Sequence, residues 1–181
     1  FEVKAFIRRL EKLPRIDILI NNAGVNKIED FTKIKEEDWL KINKINLTLP
    51  YLISKTVSRK MKQQKKGHII NISSIFGVIS KKKRATYSAS KSGLIGLTKA
   101  MSLDLAGSNI LVNAVSPGFV KTDLTRNILT NQEIKALSDE VPLKRFAQSK
   151  EIVQLVTFLC SKFNTYITGQ NLVIDGGYTI K

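Results

Sequence analysis

The chain has a single cysteine, Cys160, so no internal disulfide can form, and the disulfide-stapled secreted scaffolds are excluded. Its setting, Leu-Val-Thr-Phe-Leu-Cys-Ser, has the look of an apolar helix face, where a thiol acts as a small hydrophobe. A reducing, cytoplasmic location is expected. No apolar run approaches the ~20 residues that cross a bilayer, so no membrane association is expected. The opening Phe-Glu-Val-Lys-Ala-Phe-Ile-Arg-Arg alternates charge with apolar residues, unlike a secretory signal. The acceptor patterns at Asn46 and Asn71 have meaning only in a secreted protein and are read as coincidence. No metal site is expected.

Acidic residues are scarce: 15 Asp and Glu against 30 Lys and Arg leave a formal charge of +15. Such a balance suits phosphate neutralisation by a nucleic-acid binder. The lysines are spread along the whole chain, however, and the aromatic-rich basic motifs of RNA-binding sheets are missing, so no specific nucleic-acid partner is expected.

What is present is enough for one core: 181 residues, 43% of them hydrophobic. Phe6, Leu10 and Leu13 recur at helical spacing until Pro14 stops the pattern. Ile-Asp-Ile-Leu-Ile (16–20) then reads as a strand buried on both faces, feeding the turn Asn-Asn-Ala-Gly (21–24). From Lys35 to Lys62 the pattern is helical, with a break or a new start expected between Asn43 and Pro50, because proline is excluded from a helix interior. Strands follow at 68–73 and 110–115 around a helix from about Tyr87 to Ala106. Ser149 is expected to cap a further helix, and Asn-Leu-Val-Ile-Asp makes a last strand before Gly176 and Gly177. Strands alternating with helices imply a parallel sheet covered on both sides, with every strand's C-terminal end on one edge. Ligands of open α/β sheets bind along that edge.

Three signals fall at those strand ends: Asn-Asn-Ala-Gly (21–24), Ile-Ser-Ser (72–74) and Ser-Pro-Gly (116–118), with Tyr-Ser-Ala-Ser-Lys (87–91) opening the helix after the second. Tyr-x-x-x-Lys alone is weak, since any helix can carry it. Its spacing does put both side chains on one helix face, Cβ atoms ~5–6 Å apart. A phenol titrates near ~10, and a neighbouring cation favours the phenolate, so Lys91 is expected to lower the Tyr87 pKa into a range useful for proton transfer.

Taken together, in order and spacing, these motifs resemble the short-chain dehydrogenase/reductase family over essentially every residue present. The resemblance implies an α/β, doubly wound, mostly parallel Rossmann-like sheet and an NAD(P)-dependent oxidoreductase that interconverts a carbonyl and an alcohol. It implies Asn46, Ser74, Tyr87 and Lys91 as the catalytic set. Ser74 and Tyr87 would hold the substrate oxygen, Lys91 the nicotinamide ribose, and Asn46 a water in a proton relay. It implies Asn22, Ala23 and Gly24 beside the nucleoside ribose, and Pro117, Gly118, Val120 and Thr122 near the nicotinamide amide and pyrophosphate. Each of these has a plainer reading: Ser74 as a strand-end turn hydroxyl, Asn46 as a cap, the rest as turn chemistry.

The family's glycine-rich phosphate loop has no counterpart here. The resemblance therefore implies that residues 1–181 form a single domain, the C-terminal catalytic part, lacking the first β-α-β-α-β portion. Alone it is expected to bind a dinucleotide poorly, show no measurable reductase activity and leave one sheet edge unpaired. NADP or NAD is implied as cofactor, with no residue left to choose between them. Within the family, 3-oxoacyl-[acyl-carrier-protein] reductases look most similar, with sugar and polyol dehydrogenases as kin. A basic binding protein on the same scaffold is the third reading. Lys65 and Lys66 could dock an acidic carrier, although Ser108 stands where those reductases usually carry arginine. Ser-Lys-Lys-Lys-Arg (80–84) is either a solvated face or a contact for a phosphate or an acidic carrier. Residues 124–145 are expected to form a substrate lid. Glycines 93 and 96 lower helix propensity by about 1 kcal/mol each, which suggests close packing. A homo-oligomer, dimer or tetramer, is implied through the helices near 46–64 and 87–106.

Overall fold

A computed structural model describes residues 2–122 and 130–181. Helix α1 (Glu2–Lys12) leads into strand β1 (Ile18–Asn21). Helix α2 (Glu36–Asn43) passes through a π-helical turn at Lys44–Thr48 into α3 (Leu49–Gln64). Then come β2 (Gly67–Ile72), α4 (Ala85–Ala106) and β3 (Ile110–Pro117). A short β4 (Val120–Lys121), α5 (Asn131–Glu140), β5 (Ala147–Gln148), α6 (Ser149–Cys160) and β6 (Asn171–Ile174) complete the order.

The main sheet runs β1-β2-β3-β6 and every pairing in it is parallel, with Asn21 beside Asn71, Ile72 beside Val115 and Pro117 beside Ile174. β2 and β3 are apolar runs because both faces are covered, whereas β1 is not buried on both faces as its composition led one to expect, because it lies at the edge of the sheet. Ile69 and Val112 meet Val57, Met61 and Leu105 on one face, while Ile70 and Val115 meet Leu159 and the α6 side chains Ile152, Leu155 and Val156 on the other. Fully burying each such side chain stabilises by ~1.5–3 kcal/mol. The packing is tight enough that a Cβ at Gly67 would lie 2.4 Å from the Met61 sulfur. At the outer edge of β1, Ile18 and Ile20 are each 46% exposed. Among the described residues no helix is long and apolar enough to cross a membrane.

The new helix start expected between Asn43 and Pro50 is present: α2 ends at Asn43, the π-helical turn follows, and α3 begins at Leu49 with Pro50 as its second residue. That position tolerates proline because the N–H it lacks is not needed in the first turn. Ser149 does not cap α6. Gln148 stands at the cap position, its backbone N–H donating to the Glu151 carboxylate at 2.7 Å, and Ser149 is the first helical residue. The acceptor asparagines 46 and 71 are both fully buried, so neither is available to a glycosyltransferase.

Candidate active site

The parallel sheet puts the ends of β1, β2 and β3 on one edge, and three side-chain systems converge there. The first is the turn after β2. Ser74 accepts from the Phe76 amide at 3.2 Å, which folds Ile75–Gly77 into a single 3-10 turn. That turn is clamped to α4: the Ser73 hydroxyl donates to the Lys91 carbonyl at 3.0 Å, and the Ser92 hydroxyl donates to the Gly77 carbonyl at 2.9 Å. A Cβ at Gly77 would sit 2.9 Å from the Lys91 carbonyl carbon, so only glycine allows this approach without a shift. The clamp brings the Ser74 hydroxyl to the Tyr87 phenol, where it favours the ionised form.

The second system is Lys91, which is 3% exposed. Its ammonium donates to the Ile72 carbonyl at 2.8 Å, just where β2 ends. Burial lowers its pKa to about 8. The ammonium lies 5.7 Å from the centroid of the Tyr87 ring. The expectation that this lysine depresses the Tyr87 pKa is not met. Burial raises the phenol pKa, and what offsets the rise is the hydrogen bond to Ser74 and the positive charge of Arg84. The i, i+4 spacing does bring the two side chains together, but the ammonium is committed to a backbone carbonyl.

The third system is Asn46, at the middle of the π-helical turn and 0% exposed. Its amide clasps the backbone of Val25: the Val25 N–H donates to Oδ1 and Nδ2 donates to the Val25 carbonyl, both at 2.9 Å. Nδ2 also donates to the Ser90 hydroxyl at 3.0 Å, which in turn donates to the Tyr87 carbonyl at 2.8 Å. The local sequence explains the turn. Pro50 has no N–H to give the Asn46 carbonyl four residues earlier, and Leu49 bonds five residues back, to Lys44. π-bulges of this kind cluster at functional sites.

Gly24 joins the second and third systems, since a Cβ there would lie 3.3 Å from the Lys91 ammonium and 3.6 Å from Asn46 Oδ1. Asn22, Ala23 and Gly24 form an exposed loop directly beyond β1. Pro117 and Gly118 close β3; the Gly118 amide donates to the Ile174 carbonyl at 3.0 Å, and a Cβ would come 2.8 Å from Asp175 Cα. Phe119 stacks 5.2 Å from Phe146 and meets Phe76 edge-on at 6.4 Å, which ties this loop to the Ser74 turn. Val120 pairs with Ala147 in a two-stranded ribbon, and Thr122 is exposed at its end. The substrate lid expected at 124–145 lies partly outside the described residues; its described part includes α5 and Val141, which packs on Phe76 and Tyr178.

Sequence reasoning passed over four contributors: Gly77, Ser73, Ser90 and Ser92, which hold the site together. Their signal was faint, a high density of serine around Tyr87 and Lys91. Arg84 was noticed only as the end of a basic run. It is half-buried, with its guanidinium carbon 5.4 Å from the centre of the Phe76 ring.

Comparison with known proteins identifies the family. A family model described as enoyl-(acyl carrier protein) reductase matches residues 2–179. The chain is 40% identical over 174 residues to 3-oxoacyl-[acyl-carrier-protein] reductase FabG of Aquifex aeolicus, covering 96% of this chain and 70% of that protein. It is 39% identical over 180 residues to FabG of Thermotoga maritima, covering 99% and 73%. Among solved structures, a gluconate 5-dehydrogenase from Burkholderia cenocepacia in complex with NADP and tartrate superposes with a TM-score of 0.93 at 31% identity, covering 99% of this chain and 71% of that one. A 4-hydroxyisoleucine dehydrogenase complexed with NADH gives 0.91 at 36% identity, covering 98% and 74%. The chain belongs to the short-chain dehydrogenase/reductase family. It is an NAD(P)-dependent oxidoreductase on a Rossmann-like sheet.

Proposed function

We propose that these residues carry the catalytic part of a reductase that converts a 3-oxoacyl thioester, presented on an acyl carrier, into the 3-hydroxyacyl thioester. The observation that supports this most is the Ser74 hydroxyl brought to the Tyr87 phenol at the C-terminal edge of the sheet, two hydroxyls able to receive one carbonyl oxygen.

The dinucleotide fits the same edge. Gly24 has no side chain to cover the Lys91 ammonium, and Asn22, Ala23, Gly24, Pro117, Gly118, Val120 and Thr122 line the loops around it. When bound, NADPH or NADH supplies a hydride, with its two electrons, to the carbonyl carbon. As the carbon–oxygen π bond breaks, Ser74 donates a hydrogen bond to the developing oxyanion, and Tyr87 Oη transfers its proton to that oxygen. The products are the alcohol, the oxidised dinucleotide and a Tyr87 phenolate, which the Ser74 hydroxyl and the charge of Arg84 stabilise until it is reprotonated. Lys91 also orients the nicotinamide ribose. Asn46, fixing the Val25 backbone beside Gly24, keeps the ribose loop against α3 and sets the relay that returns the proton.

The carrier docks on the exposed Lys65 and Lys66 at the end of α3. Two copies or four associate through α3 and α4, where a groove of about 310 Å³ is lined by Tyr51, Lys55, Leu97, Met101 and Asp104, and Leu103 beside it is 82% exposed. A cytoplasmic setting suits the lone Cys160, whose thiol pKa is raised by burial. One observation favours a second reading. Ser108 replaces the arginine expected for carrier docking, and the gluconate 5-dehydrogenase superposes at a TM-score of 0.93, so a sugar-acid or polyol substrate is the alternative.

Steady-state assays of the full-length protein with acetoacetyl thioesters and with a gluconate and polyol panel decide between them. Thioester turnover lost in Tyr87→Phe and cut about 100-fold or more in Ser74→Ala supports the first reading. Turnover confined to the polyols overturns it.

A further inference from the structure

The site holds a second cation that the Tyr-x-x-x-Lys pattern does not include. Arg84 precedes the first residue of α4 and stands three residues before Tyr87, on the same side of the helix start. Its guanidinium is laid over the Phe76 ring at 5.4 Å, a cation–π seat that fixes a long side chain in place. Phe76 is itself anchored, because its amide donates to Ser74 Oγ, and Tyr87 packs into the same cluster of Phe76, Ile75 and Phe119. Arg84 makes no ion pair among the described residues. A half-buried guanidinium without a carboxylate is held there at a desolvation cost, so its charge remains available to a neighbour.

We propose that Arg84 is a positioning residue for the proton-donating phenol, its guanidinium seated over Phe76 in the cluster that holds Tyr87, so that its charge steadies the Tyr87 oxygen as the proton leaves and returns. This rests on the reading of Tyr87 as the acid. Lys91 spends its ammonium on the Ile72 carbonyl and on the ribose, which leaves Arg84 as the charge not otherwise engaged. Among the described residues, the groups around Tyr87 from every packed element are few. On α4 there are Arg84 and Lys91, on the turn after β2 there is Ser74, and across the cluster there is Tyr178, whose hydroxyl donates to Glu140 at 3.2 Å with Lys181 beside it. Glu140 is occupied by those two partners. Arg84 lowers the Tyr87 pKa, whereas no such effect reaches it from Glu140 or Lys181.

The test reads ionisation directly. The tyrosines of the full-length protein are labelled with ¹³C at Cζ, the Tyr87 resonance is assigned with Tyr87→Phe, and its titration is followed in wild type, Arg84→Gln and Arg84→Lys. Arg84→Gln should move the Tyr87 midpoint upward by roughly half to one pH unit, and Arg84→Lys should restore most of the shift. The alkaline limb of the pH profile for reduction, where the acid is lost, should move up with it. A midpoint unchanged in a folded Arg84→Gln protein that still turns over overturns the proposal. A shifted midpoint in a wild-type protein that turns over no carbonyl substrate instead overturns the acid role of Tyr87 and leaves the charge relationship standing. Should Arg84→Gln fail to fold, Arg84→Lys with Phe76→Leu, which removes the ring seat and keeps a charge, gives the same readout: an upward shift supports the proposal, none overturns it.

Discussion

Lys91 donates its ammonium to the carbonyl of Ile72 across 2.8 Å, and by that bond helix α4 is fastened to the last residue of strand β2. The bond explains how a charged side chain can be 3% exposed. It does not remove the cost of burying it, since one neutral carbonyl replaces a full hydration shell.

That cost is measurable through pH. The folded-state pKa of Lys91 is about 8, against 10.5 for the free side chain. Between those values the unfolded chain binds more protons than the folded one, so stability rises with pH across the window. Below pH 8 the penalty is fully present, on the order of 3 kcal/mol. Lys91→Met removes the charge and leaves the Ile72 carbonyl without a donor, which costs about 1–3 kcal/mol. At pH 7 the variant should therefore be about as stable as wild type or more so. Between pH 8 and 10.5 wild type should gain up to about 3 kcal/mol relative to it. Urea denaturation of both proteins at pH 7, 8.5 and 10 checks this; parallel curves would refute the burial argument.

Asn46 carries more structure than its motif suggests. Its amide satisfies the Val25 N–H, the Val25 carbonyl and the Ser90 hydroxyl at one buried point. Asn46→Ala strands the two Val25 groups, and each buried group left without a partner costs ~1–3 kcal/mol. The expected loss is about 2–4 kcal/mol in chemical denaturation. Faster amide exchange at Val25 and Gly24 should accompany it, because the loop after β1 loses the side-chain clasp that holds Val25. Protection unchanged at Val25 would show that the loop is held by something else.

How much of this was legible beforehand depended on the range of the interaction. The strands at 68–72 and 110–117 were readable because burial on both faces makes their composition unambiguous, and the i, i+4 placement of Tyr87 and Lys91 follows from helix geometry alone. What stayed hidden was set by partners distant in sequence. The low pKa of Lys91 comes from burial by elements distant in sequence, its ammonium bonded to a carbonyl 19 residues away, and nothing local to Tyr-x-x-x-Lys says that the ammonium will choose that carbonyl over the phenol. Gly77 is illegible for the same reason, since its need for a bare Cα arises from the Lys91 backbone pressed against it. The cap of α6 is illegible locally because Ser is the commoner capping residue, whereas the helix starts one residue earlier than Ser149 allows, with the Glu151 carboxylate taking the Gln148 backbone N–H.

Glycines 93 and 96 in α4 had one shared explanation in the sequence, close packing, and the structure separates them. A Cβ at Gly93 would lie 2.9 Å from a Leu47 methyl, whereas at Gly96 nothing stands within 4 Å. In an isolated chain Gly96→Ala should therefore stabilise α4 by about 1 kcal/mol through helix propensity alone. If a second copy packs its own α3 and α4 against this face, the added methyl meets the partner instead. Sedimentation velocity at several concentrations together with thermal melts reads both effects. Weaker association with a higher monomer melting temperature supports assembly through α4, and unchanged association places the contact elsewhere.

Glu151 gives a prediction at the opposite end of the pH scale. Its carboxylate accepts from both Arg145 guanidinium nitrogens, at 2.7 and 2.8 Å, and from the Gln148 amide at 2.7 Å. The Arg145 hydrogen bonds, then the Gln148 amide, hold its pKa down at about 2, below the ordinary 4.5. A carboxylate depressed in the folded state contributes stability that is complete above pH 4.5 and fades as pH falls toward 2. Wild type should lose stability relative to Glu151→Gln across that window, with the two curves running parallel above about pH 5. Because the pair is solvent-exposed, added salt should shrink the difference. Melting temperatures of both proteins at pH 2.5, 3.5, 4.5 and 6, in low and high salt, are the measurement. Equal acid sensitivity in the two would mean that α6 begins without help from the Arg145 fork, and that the Gln148 amide can be satisfied by a neutral side chain.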